Sequence, residues 1–100
     1  MVKHVILWQL KDELTAAEKE SVKLDAKKNL EALYGKIPGL QYIKVNINGL
    51  TTSNADMMLD SGFDSAEALA NYAVHPDHVF AADNFVRPFT KSRACLDFED

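Results

Sequence analysis

The sequence has few of the residues that mark cross-linked or membrane-bound proteins, with one cysteine, three prolines and four glycines among 100 residues. The single cysteine, Cys95, excludes an internal disulfide and favours a reducing compartment. No apolar run approaches the roughly 20 residues that span a bilayer. Charged residues also follow the apolar start of the chain, where a secretory signal would have its cleavage site. We therefore expect a cytoplasmic protein with no membrane partner.

Positive charge is scarce and scattered. The chain has 11 lysines and arginines against 15 acidic residues, which gives a net charge of −4. It has no stripe of basic residues of the kind that binds nucleic acid. Glycine-rich phosphate loops and nucleophile elbows are absent as well. These absences argue against nucleic acid as a partner and against two common classes of catalytic motif.

The composition that remains is typical of one globular domain. Hydrophobic residues make up 47% of the chain and charged residues 26%, which is ordinary for a folded protein and too apolar for a disordered one. No repeat, linker or low-complexity segment divides the sequence. We expect a single domain over residues 1–100.

The first predicted strand, Val2–Leu10, is apolar on both faces. Alternation places Val5 and Leu7 on one face. The opposite face carries His4, Ile6, Trp8 and Leu10. A sheet with helices on one side usually exposes its other side to water, so a second apolar face indicates a further covering element, such as another subunit.

The next three elements follow in the order helix, strand, strand. A capping box at Thr15 and Glu18 begins the first helix, which ends near Gly35. A strand is predicted over residues 40–48, where apolar and polar residues alternate, and a further strand over residues 57–63.

The second helix is predicted to break at Pro76, since proline disfavours helical geometry in the residue before it and suits the first turn of a new helix. The new helix runs to about Val86, and a last strand covers residues 93–98. The order β-α-β-β-α-β predicts an α+β, ferredoxin-like fold with a four-stranded antiparallel sheet. The apolar second face predicts a homodimer through the sheet faces.

Three segments carry a resemblance to a known family: "KHVILWQLKDELT", "GFDSAEALANYAVHPDHV" and "RPFTKSRACLDFE". Along nearly its whole length the chain resembles the stress-responsive A/B barrel, or dimeric α/β barrel, family. The resemblance implies that two protomers join their sheets into a barrel. It also implies a stress-associated or small-ligand-binding module of unassigned activity, with no cofactor.

A plant polyketide cyclase of the same fold gives the resemblance a chemical alternative. Its catalytic tyrosine and histidine match Tyr72 and His78, and a pocket histidine on its first strand matches His4. A further pocket histidine is replaced here by Met57, which makes the same substrate doubtful. The expected pocket lining is His4, Ile6, Trp8, Met57 and His75.

The pair Tyr72 and His78 suits proton transfer beside a carbonyl group. A neutral imidazole can act as a general base near neutral pH, and a phenol can stabilise an enolate by a hydrogen bond. The alternative function is therefore a cyclase or lyase acting on a small hydrophobic carbonyl ligand. The first interpretation makes "YAVHPDHV" mainly a fold signature, with Tyr72 as a core aromatic residue.

Two further hypotheses, a monooxygenase function and a metal site, have less support from the sequence. Related dimeric barrels include monooxygenases, but only the fold supports that function here. The spacing of His75 and His78 offers two metal ligands without a reliable third, so no metal site is predicted. Cys95 is expected to be a small buried residue of the last strand.

Overall fold

The chain folds as predicted into a ferredoxin-like α+β domain, in a computed structural model that describes all 100 residues. A single 3-10 turn, Arg87–Phe89, precedes the last strand. The helices and strands follow in this order: β1 Val2–Leu10, α1 Ala16–Glu31, β2 Leu40–Asn46, β3 Met57–Phe63, α2 Ala66–Val74, α3 Pro76–Phe85 and β4 Thr90–Glu99.

Three boundaries differ from the sequence prediction by two residues or more. β2 ends at Asn46 rather than at residue 48, and β4 begins at Thr90 rather than at residue 93. β4 is longer because its whole length pairs with β1, from Thr90 opposite Leu10 to Glu99 opposite Val2. Helix α1 ends at Glu31, and turns carry the chain to Gly35, whose φ of +86° suits a residue without a side chain.

The four strands form one antiparallel sheet in the order β2-β3-β1-β4. Alternate residues of β1 point to opposite sides of the sheet. We call the helix-bearing side the covered face; on β1 it carries His4, Ile6, Trp8 and Leu10, which share one face as predicted and are all buried. The register places Ser61 of β3 and Asp97 of β4 beside His4.

Helix α1 begins at the predicted capping box. The Thr15 hydroxyl accepts from the Glu18 amide, and the Glu18 carboxylate accepts from the Thr15 amide. Its buried residues recur at four-residue spacing through Val22, Ala26 and Leu30, and the helix packs on β2 and against α3. This packing closes the β2 end of the covered face.

Helices α2 and α3 meet at His75. Its φ of −65° and ψ of 133° are extended, as expected for a residue before proline. Its amide donates to the Tyr72 carbonyl at the end of α2, and its Nδ1 accepts from the Asp77 amide at the start of α3. One residue therefore ends one helix and begins the next.

The helices do not cover the sheet evenly. Helices α1 and α2 pack on β1, β2 and β3, whereas β4 packs chiefly on β1. The covered face consequently has a space above β4 and the adjoining part of β1. This uneven cover positions the site described below.

The other side of the sheet, which we call the open face, bears no helix. Its apolar part consists of Val5, Leu7, Met58, Ala94, Leu96 and Phe98, which adjoin one another across the strands. Its polar part is near β2, where the Tyr42 hydroxyl donates to the Asp60 carboxylate at 2.7 Å and Lys3 lies over the Tyr42 ring. None of the helices has the length and apolar character that crossing a membrane requires.

Candidate functional site

A cavity of about 450 Å³ lies between the covered face of β1 and β4 and the helices α2 and α3. Most of its wall is apolar, with Ile6, Trp8, Leu30, Leu59, Leu69 and Val86 among the lining residues. Its main polar side chains are His4, Tyr72, His78, Arg87, Arg93 and Asp97. An apolar cavity with a few converging polar groups is typical of small-molecule sites.

Tyr72 lies in the last turn of α2 and is 1% exposed. Its ring contacts Phe63 at 5.0 Å between centroids and His78 at 4.2 Å. Its hydroxyl is buried and has no hydrogen-bond partner, although buried hydroxyls normally have one. Burial raises the pKa of this phenol, and only the distant charge of Arg93 opposes the shift, so the group remains protonated at neutral pH.

His78 lies in the first turn of α3 and is half-buried. Its Nδ1 lies 3.2 Å from the Ala73 carbonyl oxygen. Because a carbonyl only accepts, Nδ1 must carry the hydrogen, which leaves the lone pair of a neutral ring on Nε2. Burial lowers the pKa of His78, and the nearby Arg87, His4 and Arg93 act in the same direction. The imidazole is therefore neutral at pH 7, in the form that accepts a proton.

His4 is held by β4 and β3. Its Nδ1 bonds to the Asp97 carboxylate directly across the β1–β4 ladder, and its backbone carbonyl accepts from the Ser61 hydroxyl at 2.8 Å. Burial raises the pKa of Asp97, but the contacts with His4, the hydrogen bond from Cys95 and the charge of Arg93 together outweigh burial and lower the pKa overall. Asp97 is thus an ionised carboxylate that fixes the orientation of the His4 ring.

Three side chains near the cavity could hold a metal ion. Ligand atoms of His4, Cys95 and Asp97 lie within 4.8 Å of one another, with Cys95 Sγ 3.7 Å from His4 Nδ1 and 3.4 Å from Asp97 Oδ1. A metal would have to replace the hydrogen bond between His4 and Asp97. Burial and the Asp97 carboxylate also raise the pKa of the Cys95 thiol, which disfavours the thiolate that binds metals.

The prediction that Cys95 is buried was wrong. Its side chain is exposed, because β4 is an edge strand with little helical cover. Sequence analysis considered His75 and His78 as a pair of metal ligands. In the structure, the three groups that lie close enough to share a metal ion come from β1 and β4.

The structure brings together five of the seven predicted site residues. His4, Ile6, Trp8, Tyr72 and His78 all line the cavity. Met57 and His75 do not. Met57 is buried at the far end of β3, opposite Trp8, and the His75 side chain caps α3.

Sequence reasoning missed three charged residues of the wall, namely Arg87, Arg93 and Asp97. Arg93 and Asp97 could have been found by pairing the last strand with the first, since alternation puts them on the face shared with Trp8 and His4. Arg87 lies in the turn before β4. No alternation of apolar and polar residues there could have predicted that it lines the cavity.

Comparison with known proteins gives a family and a set of structures. The family model of the stress responsive A/B barrel domain matches residues 2–100. A dimeric protein of unknown function and ferredoxin-like fold from Bacteroides fragilis is 35% identical, with a TM-score of 0.93. The similarity covers 99% of this chain and 95% of that chain. No curated protein sequence matches the chain.

Two more distant structures share the fold alone. The hydroxynitrile lyase from Passiflora edulis is 17% identical, with a TM-score of 0.71, over 97% of this chain and 90% of that chain. An antibiotic biosynthesis monooxygenase is 9% identical, with a TM-score of 0.75, over 100% of this chain and 98% of that chain.

Proposed function

Since the chain belongs to the stress responsive A/B barrel domain family, we propose that it is a homodimer whose protomers each bind a small carbonyl compound and transfer a proton beside its carbonyl group. The observation that carries the proposal is the buried Tyr72 hydroxyl, which lacks a partner and lies beside a neutral His78 at an apolar cavity. Leaving such a hydroxyl unpaired costs about 1–3 kcal/mol. A ligand oxygen that accepts its hydrogen would offset that cost.

Tyr72 is the proposed hydrogen-bond donor. Its raised pKa keeps the phenol protonated, so the hydroxyl donates to a carbonyl oxygen and strengthens that bond as negative charge develops there. The surrounding apolar wall favours the interaction because it excludes water. Removing one such donor in an enzyme typically lowers the rate by about 100- to 1,000-fold.

His78 is the proposed base. Nδ1 is occupied by the Ala73 carbonyl, and Nε2 can therefore take a proton from the carbon next to the carbonyl. The electron pair of that C–H bond forms a C=C bond, and the π pair of the carbonyl moves to its oxygen to give an enolate, which Tyr72 stabilises. When the proton on Nε2 is replaced by one from solvent and returned to the carbon, the result is exchange. Attack of the enolate carbon on a second carbonyl, whose oxygen takes up a proton, would complete a cyclisation.

The open face supports the homodimer. It exposes an apolar patch that includes Leu7, Leu96 and Phe98, and contiguous exposed apolar surface is typical of a protein interface. The Bacteroides fragilis protein, similar over almost the whole of both chains, is described as dimeric. Two open faces packed together would give the barrel that the sequence resemblance implies.

The proposal is tested by exchange of α-hydrogens in a neutral ketone. Phenylacetone is incubated with the protein in D₂O, and loss of its α-proton signals is followed by NMR. We expect His78→Asn to lower the catalysed rate by roughly 100-fold or more, since general bases contribute about 100- to 10,000-fold. Tyr72→Phe is expected to lower the rate by a similar factor and to leave thermal stability unchanged or slightly higher, because it removes an unpaired hydroxyl.

A second histidine provides the matched control. His75→Asn keeps an oxygen that can cap α3 and alters a residue that does not line the cavity, so exchange should stay within about twofold of the wild type. Exchange that persists in both the Tyr72 and the His78 variants would contradict the proposed chemistry.

A ligand-binding module without catalysis is the second candidate. The size of the cavity favours it, since about 450 Å³ falls within the range of about 300–1,000 Å³ seen for small-molecule sites. Tight binding of a carbonyl compound, with α-hydrogen exchange no faster than in buffer alone, would favour this function over catalysis. A monooxygenase function has the support of fold similarity alone.

A further inference from the structure

Both arginines of the chain, Arg87 and Arg93, line the cavity, and none of its nine lysines does. Arginine differs from lysine in presenting a planar fork of donors that matches a carboxylate. The presence of both arginines, and of no lysine, in the cavity wall therefore bears on which ligands the cavity binds.

The two arginines differ in their partners. Arg87 donates to the Asp83 carboxylate one turn earlier at 2.5 Å. Arg93 forms no salt bridge with a carboxylate of the protomer. It extends from the covered face of β4, opposite Trp8, at the margin of the cavity. Its guanidinium fork is therefore not paired with a carboxylate of its own chain.

The carboxylate of Asp97 on the same strand forms no salt bridge with Arg93, although the charge of Arg93 helps to lower the pKa of Asp97. Asp97 already accepts from His4 and lies beside the Cys95 thiol. The charge of Arg93 also reaches the cavity, where it opposes the effect of burial on the pKa of Tyr72 and adds to the effect of burial on the pKa of His78. A ligand carboxylate in the cavity would form the direct ion pair with Arg93 that no carboxylate of the protomer forms.

We infer that the cavity selects an organic anion, a small apolar carbonyl compound bearing a carboxylate, and that Arg93 binds this carboxylate. The inference rests on the proposed function for its ligand site. Arg93 at the margin binds the acid group, the apolar wall contacts the body of the ligand, and the carbonyl lies toward Tyr72. Arg87 contributes less because Asp83 already occupies it.

A matched pair of ligands tests the inference. Binding of 4-acetylbenzoate and of its methyl ester is measured by calorimetry on the wild type, Arg93→Gln and Lys91→Gln. Lys91 is the control because it lies on the same strand, pairs with Asp12 and does not line the cavity. We expect the wild type and Lys91→Gln to bind the acid about 5- to 10-fold more tightly than the ester, as a partly exposed ion pair of about 1 kcal/mol predicts.

Arg93→Gln should bind the two compounds equally, with its affinity for the ester unchanged. Raising the salt concentration from 0.1 to 1 M should weaken binding of the acid to the wild type and leave the ester unaffected. Equal affinities in the wild type, or a preference that survives in Arg93→Gln, would overturn the inference and leave the ligand site intact. If neither compound binds, the inference fails, and exchange of the neutral ketone decides separately on the proposed function.

Discussion

The two faces of the sheet are formed by the same strands but are buried to different extents. On β1 the covered face buries Ile6, Trp8 and Leu10 beneath the helices of its own chain, whereas the open face leaves Leu7 42% exposed. Both faces are apolar, but only one is completed within the protomer. The comparison shows that stability of the fold depends mainly on the covered face, while the open face remains available for association.

Truncation at matched leucines measures this difference and has the largest expected effect. Leu10 is 1% exposed, and Leu10→Ala should lower the free energy of unfolding by about 2–5 kcal/mol because it leaves a cavity. Leu7→Ala should cost less than half as much in dilute protein. Its cost should grow with protein concentration, since the side chain acts in the proposed interface. Urea denaturation at two protein concentrations checks both, and equal costs would erase the distinction between the faces.

A charge on the open face should separate the proposed dimer. Leu96 is 64% exposed in the protomer and lies on β4 opposite Val5. Leu96→Asp should weaken association by about 100-fold, equivalent to about 2.8 kcal/mol, because both copies would bury a carboxylate. Light scattering should then give the 11.2 kDa of one chain instead of twice that mass.

Leu24→Asp is the control for this variant. Leu24 is a similarly exposed leucine of α1 that lies off the sheet, and its substitution should leave the dimer intact. A wild-type protein that is monomeric at micromolar concentration would refute the association outright.

The smallest effect is a pH dependence of stability from the covered face. The pKa of His78 is lowered from its ordinary value of 6.5, first by burial, so the unfolded chain binds more protons than the folded chain just below that pH. Its contribution to stability is therefore complete above pH 6.5 and declines as the pH falls toward the lowered pKa. In urea denaturation between pH 5 and 7, His78→Gln should show a shallower slope than the wild type. An unchanged slope would contradict this assignment.

Asp97 affects the stability of the protein in a lower pH range than His78 does. Its pKa is lowered because the contacts with His4, helped by Cys95 and Arg93, outweigh burial, so its contribution is present above the ordinary value of 3.8 and is lost only at more acidic pH. The two groups can therefore be separated by the pH at which stability falls.

The fold was predictable because local signals and global topology agree. The capping box at Thr15, the alternation of β1 and the break at Pro76 each specify one element, and together they leave one common arrangement. The boundary of β4 was missed because the segment "TKS" has little apolar alternation. Pairing with β1, a long-range contact, extends the strand there.

The site was only partly predictable. Tyr72 and His78 were found because a short motif contains both, and the turn at His75 brings their rings together. Arg93 and Asp97 are far from that motif in sequence, and only strand order places them beside it. The exposure of Cys95 depends on which part of the sheet the helices leave uncovered, a property of three-dimensional packing that a linear pattern does not encode.

The extended residue His75, which ends α2 and begins α3, has a mechanical consequence. Rotation about its ψ bond swings α3 as a rigid arm, and at 1.5 Å per residue the arm is about 15 Å long. A 10° swing would displace the far end by up to ~2.6 Å but move His78, three residues from the pivot, by less than ~1 Å. His78 therefore lies close to the pivot, where its spacing from Tyr72 would change least in such a swing.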